Sequence, residues 1–328
     1  MSTKTYAVAS GTVLACLLYV WQKQRSRDSN PPLPPSLKGE WLIGNLRSLP
    51  AGDEHLYFAK LSQELNSDII SFTVLGQTTV VLNSPAAVND LLDKRAAVYS
   101  DRPGIVMLTD EWLIDCKNIA TLVPLGPRHR TYRKMMHKFL SKNASKVYYP
   151  YQEAEIRDFL KRLLVPTESV EDNFRQAAGA IIMRIAYGYR VKTIDDKLVV
   201  LAATTNADVM RAALASNFLV NVIPALKYIP SWLPGAGWKR KAMHWKEKVK
   251  IMANEPFEWT KRNVREGTAE PSVVQTLLAD IPESGMEVED AEDHIKYLAA
   301  TMFPGEYMRH ANILIIVFST NHCLFSWF

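Results

Sequence analysis

The sequence predicts a mainly α-helical protein with one small β-sheet near its start, set behind a single N-terminal transmembrane helix. Three observations carry this expectation. Apolar residues recur at helical spacing through most of the chain after about residue 125. A lone pair of β-rich segments, 69–75 and 78–82, flanks Gly76-Gln77, a hairpin signal. Residues 5–22 carry no charge and are rich in Ala, Val, Leu and Tyr.

Taken in order, 1–22 forms the expected membrane anchor. At 1.5 Å rise per residue the uncharged stretch is roughly 27 Å long, enough to cross a hydrocarbon core. Lys4 precedes it and Lys23, Arg25 and Arg27 follow, which places the following domain in the cytoplasm. Leu17-Leu-Tyr-Val-Trp21 offers no small-residue cleavage site, so an anchor is expected rather than a removed signal peptide. Residues 23–40 are a basic, proline-rich hinge, with Pro31-Pro-Leu-Pro-Pro35 as a stiff spacer. The globular part spans 41–303, and 304–328 is a hydrophobic tail.

Within the globular part, 53–65 reads as a helix before the hairpin. Ser84-Pro85 caps a helix expected to run to about Arg95. Residues 104–124 are irregular. Helices follow at about 149–164, 171–188, 196–214, 237–266 and 271–280, and another starts near Val288. The stretch 218–238 is apolar and aromatic, yet Pro224, Pro230 and Pro234 forbid a continuous helix. It is either a buried crossover or a second membrane-touching patch backed by Lys239-Arg-Lys241.

The segment 125–140 is the most informative. Gly126-Pro127 starts a helix in which Arg130, Arg133, Lys134, His137 and Lys138 share one side. Tyr132, Met135, Met136, Phe139 and Leu140 share the other. Such a cationic face is either solvated or holds an anion.

Composition excludes several classes. A net charge of +5 and a pI near 8.9 are too mild for nucleic-acid binding and fit an anionic membrane or an acidic partner. Three cysteines, Cys16, Cys116 and Cys323, with no CxxC, exclude a disulfide framework or a zinc knuckle. His129 and His137 lack metal-ligand spacing, and no phosphate-cradling glycine loop, Gly-x-Ser-x-Gly or HExxH is present. No catalytic residue and no metal ligand is expected.

The ordered set of motifs resembles the N-terminal part of the microsomal cytochrome P-450 family of haem-thiolate monooxygenases, fungal type. The resemblance rests on the anchor, the Pro31–Pro35 hinge, Ile43-Gly-Asn-Leu46, the strand pair, Ser100-Asp-Arg-Pro103, the basic helix, Ala186-Tyr-Gly188 and Tyr228-Ile-Pro-Ser-Trp-Leu-Pro-Gly235, and it covers about residues 1–303. It implies haem b as cofactor, a lipophilic substrate, electrons from an NADPH-dependent reductase, and the endoplasmic reticulum membrane as location. The family's basic helix carries Trp-x-x-x-Arg, whose arginine donates to a haem propionate. Arg133 takes the arginine position and His129 the tryptophan position, so Arg133, His129 and Arg130 are the candidate haem-binding residues. Arg128, Lys134 and Lys138 would flank the reductase-docking face.

The same resemblance implies an incomplete fold. A thiolate ligand needs Phe-x-x-Gly-x-x-x-Cys, but Ile316 and Ser319 stand where Cys323 would need phenylalanine and glycine. The oxygen-activating Gly-x-Asp-Thr is absent where Pro304-Gly-Glu-Tyr stands. The 328 residues as written are therefore expected to be inactive and not to hold haem stably. The alternative is a non-catalytic, membrane-anchored helical interaction protein. Gly-Glu-Tyr can be encoded with a common intron start, so the tail reads as translated intron. Genomic DNA beyond the codon for Phe303 is expected to encode Gly-x-Asp-Thr and a cysteine loop within a short distance; their absence would refute the intron reading.

Overall fold

The computed structural model describes residues 32–319, apart from 42, 51–53, 142, 165–169, 194 and 214–216. The expected anchor over 1–22 lies outside them, as do Cys16 and Cys323. No helix among the described residues is long and apolar enough to cross a membrane. The chain divides into two compact units, 1–99 and 100–328.

The first unit holds helix α1 (Glu54–Glu64) and an antiparallel pair, β1 (Ile69–Val74) and β2 (Gln77–Leu82), in register from Ile69 opposite Leu82 to Val74 opposite Gln77. The turn is Leu75-Gly76, one residue earlier than the sequence suggested. Both residues have positive φ, 48° and 85°, the twist that a two-residue hairpin requires. Glycine adopts it freely, and Leu75 is held there by the pairing on either side. The proline run is docked on β1: Ser71 donates from Oγ to the Pro34 carbonyl (2.7 Å) and from N to the Pro35 carbonyl (2.9 Å). Prolines have no N–H, so acceptance is all their backbone can offer. Ser84 caps as expected, accepting from Ala87 N at 3.2 Å. The helix behind it is not continuous; an α-turn Pro85–Val88, a π-helical turn Asn89–Lys94 and a turn Ala96–Tyr99 replace it.

The second unit contains α2 (Pro127–Leu140), α3 (Tyr149–Leu163), α4 (Val170–Tyr187), α5 (Lys197–Ala213), α6 (Gly237–Arg265), α7 (Val273–Ala279) and α8 (Val288–Ser319). These lie where the apolar periodicity put them, except that α8 continues past Phe303, through Pro304 and Gly305. A proline deep in a helix removes one N–H and can be absorbed by a bend, so the motif failure at 304 does not end the helix.

One core joins α2 and α4–α8, with α8 lying chiefly on α4, while α3 packs through Phe159 on Phe174 and Ala177 of α4 in a second, smaller cluster. The two approach closely at Gly179, where a Cβ would sit 3.0 Å from Val199 Cγ1 and 3.7 Å from the Phe303 ring. Phe303, Ile295 and Leu298 are buried beside Met183 and Ala186. Burying each such large side chain contributes about 1.5–3 kcal/mol. At the end of α4, Gly188 takes φ 69°, and a Cβ there would stand 2.9 Å from the Glu270 carbonyl oxygen. This gives Ala186-Tyr-Gly188 a backbone reason.

The segment 104–124 contains one helical turn, Val106–Thr109, and is otherwise irregular, as expected. It is nevertheless deeply buried at Met107, Leu108, Leu113, Ile114 and Cys116. Its polar backbone is met from elsewhere in the unit. Met107 N donates to Asn221 Oδ1 (2.9 Å), Ala120 N donates to Thr301 Oγ1 (2.9 Å), and the Asn118 carbonyl accepts from Tyr132 OH (2.8 Å).

The connector 218–238 forms 3-10 turns at Leu219–Asn221 and Pro224–Tyr228. It is not a buried crossover: Leu219, Tyr228 and Trp232 are 66%, 64% and 77% exposed. Spaced prolines prevent a helix that could gather these side chains onto one inward face. Lys239 Nζ donates to the carbonyls of Lys227 (2.6 Å) and Ile229 (3.0 Å), and Arg240 to that of Ser231 (2.6 Å).

Phe303→Ala opens a cavity at the α4–α8 contact. It is expected to lower stability by about 3–5 kcal/mol, read from urea unfolding.

Candidate functional site

Helix α2 starts at Pro127, whose fixed φ and missing N–H suit a first helical position. It buries Tyr132 and Phe139, with Met135 and Met136 half-buried beside them. Leu140, expected on this face, is exposed instead. It is the last residue of the helix and lies at the edge of the stripe, beyond the packing partners.

The predicted site residues stay together. His129 is half-buried, and Arg130 and Arg133 are exposed. His129 and Arg133 are one turn apart, and Arg130 and Arg133 are three residues apart, so each pair has neighbouring Cβ atoms about 5–6 Å apart. Among the described residues neither the Arg130 nor the Arg133 side chain makes a hydrogen bond or an ion pair. Two like charges at this spacing repel by a few tenths of a kcal/mol. A carboxylate arriving between them would remove that repulsion and accept bidentate hydrogen bonds.

The remaining cations of the helix are used differently from the sequence expectation. Arg128 is not free to flank a docking face. Its guanidinium donates to Asp293 Oδ2 and to Tyr132 OH, both at 2.8 Å, and lies over the rings of Tyr132 (5.2 Å) and Tyr297 (5.8 Å). Burial disfavours the Arg128 charge, but the bonds to Asp293 and Tyr132 outweigh it and hold its pKa above the usual guanidinium value. Lys138 pairs with Asp280 at 2.8 Å. Because Lys138 is largely exposed, that pair contributes at most about 1 kcal/mol and is easily exchanged. Lys134 alone of the three forms no ion pair among the described residues.

An iron porphyrin brings carboxylates at its edge and an iron that needs an axial ligand. Its carboxylates fit the Arg130–Arg133 face. An axial thiolate does not fit Cys116. Burial, reinforced by the neighbouring Asp115 charge, pushes this thiol up to about 12, so it stays protonated at neutral pH. No group of three or more His, Cys, Asp or Glu among the described residues is placed to hold a metal ion. Arg130 and Arg133 therefore suit the carboxylates at the periphery of the cofactor, and Cys116, the one cysteine among the described residues, is not a thiolate.

Sequence reading missed a cavity of about 120 Å³ between the 104–124 segment, α5 and α6, lined by Leu108, Ile119, Thr205, Asn206, Val249 and Met252 among others. A signal was present. The buried stripe of α5 runs Val199, Ala202, then Thr205-Asn206, so two polar residues interrupt an apolar period.

Tyr132→Phe deletes the hydroxyl that joins Arg128 to the Asn118 carbonyl, at an expected cost of about 1–2 kcal/mol. Burial raises Tyr132 to about 12 from an ordinary 10.0, and Cys116 to about 12 from 9.0. Both folded values exceed the unfolded ones, so their contribution is complete below about pH 9 and is lost as pH rises toward 12. Circular dichroism melts between pH 8 and 12 should show this alkaline loss, reduced in Tyr132→Phe.

The family model for cytochrome P450 matches residues 34–305. The cytochrome P450 monooxygenase COX2 of Coprinopsis cinerea is 33% identical over 300 residues, which are 91% of this chain and 56% of that protein. Cytochrome P450 monooxygenase 208 of Postia placenta is 31% identical over 295 residues, 90% of this chain and 56% of that protein. The claR monooxygenase of Ampulloclitocybe clavipes is 35% identical over 275 residues, 83% and 50% respectively. The chain thus spans little more than half the length of these curated relatives. A mainly helical chain with one two-stranded sheet, a basic helix with unpaired arginines and these matches lead to one assignment: the chain belongs to the cytochrome P450 family.

Proposed function

We propose that the chain is the N-terminal, propionate-holding part of a membrane-anchored, haem-dependent monooxygenase that acts on a lipophilic substrate with electrons from an NADPH-dependent reductase. The observation that carries this reading is the pair of unpartnered guanidinia at Arg130 and Arg133, within a chain of this family, with His129 one turn from Arg133. Bound haem would supply oxygen activation at its iron. In this reading Arg133 binds one propionate bidentately, His129 adds a single hydrogen bond, and Arg130 adds charge. Lys134 remains for an acidic reductase surface, and Lys138 joins it when the exposed pair with Asp280 opens.

The membrane assignment rests on the uncharged 5–22 stretch followed by Lys23, Arg25 and Arg27. It is supported by the exposed Leu219, Tyr228 and Trp232, followed in sequence by Lys241; Lys227 is already paired with Asp110. In this reading the protein is a single-pass protein of the endoplasmic reticulum with its globular part in the cytoplasm.

These 328 residues on their own are inactive in this reading, because none of Cys16, Cys116 and Cys323 lies in Phe-x-x-Gly-x-x-x-Cys, and Cys116 is a buried, protonated thiol. A second reading, a helical interaction module, is favoured by one observation: helices of the second unit share a continuous buried core. It predicts a monodisperse, cooperatively unfolding chain without haem.

Expressed with ample haem, the purified 328-residue chain should give no thiolate-type spectrum after reduction and carbon monoxide treatment. Its appearance would overturn the inactivity of this chain. A product extended by a cysteine loop should give that spectrum, and Arg133→Ala should lower its haem retention. A featureless spectrum from the extended product would sink the monooxygenase reading.

A further inference from the structure

The two edges of the small sheet in the first unit are treated differently. In an antiparallel pair, alternate residues of each strand turn their N–H and C=O groups away from the partner strand. Along β1 these include Ser71 and Thr73, and the 34–45 segment meets both. Ser71 N donates to the Pro35 carbonyl (2.9 Å), Thr73 N to Asn45 Oδ1 (2.9 Å), and Asn45 N to the Thr73 carbonyl (2.7 Å). Ser71 stands opposite Val80 and Thr73 opposite Thr78, so Thr78, Val80 and Leu82 are the outward residues of β2. Among the described residues β2 pairs with β1 alone, and no hydrogen bond reaches the backbone groups of those three. Residues 77–80 are exposed, Val80 at 46%.

A bare strand edge is a template for another chain, and proteins commonly blunt it with charge, proline or a bulge. None of these is present. From Ile69 to Leu82 there is no charged residue and no proline, and the register runs unbroken. The edge strand itself is Gln-Thr-Thr-Val-Val-Leu, rich in strand-forming residues. A hairpin of two strands is marginal in water, and further strands stabilise it.

We propose that the β2 edge is a self-association surface, on which β2 of a second copy adds in antiparallel sense about a two-fold axis through Val80. The occupant follows from the register. The outward residues are symmetric about Val80. A copy rotated about that axis sets Val80 opposite Val80, and Thr78 of each copy opposite Leu82 of the other, so that every outward N–H faces a C=O. No charge is buried in this pairing. The edge has no charge with which to select an acidic or a basic partner, whereas its own sequence matches it residue for residue. Nothing on the basic helix α2 takes part, so the inference goes beyond the monooxygenase reading and is independent of it.

The test is cysteine cross-linking of the full 328-residue chain in detergent, with Cys16 and Cys323 replaced by serine and the buried Cys116 retained. In the proposed pairing the two Val80 Cα atoms are about 5.5 Å apart, within disulfide reach. The two Thr78 Cα atoms are about 14 Å apart along the strands and out of reach. Mild oxidation of Val80→Cys should therefore give a disulfide-linked dimer, and Thr78→Cys alone should not. A mixture of Thr78→Cys and Leu82→Cys chains should cross-link. Light scattering of the chain without added cysteines should show a dimer, and Val80→Lys, which sets like charges opposite each other, should weaken it about tenfold or more. Cross-linking of Thr78→Cys as strong as that of Val80→Cys, or a monomer by light scattering, overturns the proposal.

Discussion

A stretch of chain without regular secondary structure lies inside the second unit, and its buried backbone must be given hydrogen-bond partners. Burying an amide or a carbonyl unmet costs about 1–3 kcal/mol each. The 104–124 segment meets this constraint by drawing on side chains from three separate places. Asn221 comes from the proline-rich connector, Thr301 from α8 and Tyr132 from the basic helix. Asn221 is itself fixed, since its Nδ2 donates to the Ala212 carbonyl at the end of α5. Segment, connector, α5 and basic helix are therefore bound into one arrangement, and the cavity has a rigid wall made of irregular chain.

The same arrangement sorts the cations of α2 by their partners. Arg128 is turned inward, where Asp293 and two tyrosine rings compensate the burial of its charge. It closes the link through Tyr132 to the Asn118 carbonyl, so its role is to hold the loop. Arg130 and Arg133 point to the opposite flank and keep their charges unmatched. Stability alone would favour a carboxylate or a neutral residue there. A pair of unmatched guanidinia on a rigid helix is instead what a planar carboxylate requires.

Exposure of the connector has a comparable logic. Its three prolines forbid a helix, so the carbonyls of Lys227, Ile229 and Ser231 are capped by Lys239 and Arg240 from the start of α6. With the backbone satisfied in this way, Tyr228 and Trp232 can stand in solvent without unravelling the turn. Large apolar side chains thus stand outside a core that buries Val220 and Trp245.

Periodicity and punctuation in the sequence were enough to place the helices and strands, because those depend on local spacing and on residues such as Ser84, Pro127 and Gly188. Periodicity showed only that Arg130 and Arg133 share a cationic face of one helix; His129 and Arg133 were singled out by the family resemblance and not by spacing. The sequence could not show that Arg128 would be withdrawn by Asp293, which lies far along the chain on α8. It could not show that Leu140 would face solvent, that the turn would fall at Leu75-Gly76, or that α8 would pass Pro304, since each outcome depends on the packing or pairing around the residue. The break in the apolar stripe at Thr205-Asn206 was visible, but its meaning was not. Only the packed structure shows that Thr205 Oγ1 and Asn206 Oδ1 are buried without a hydrogen-bond partner among the described residues, because hydrogen-bond satisfaction is a property of three-dimensional neighbours and not of spacing.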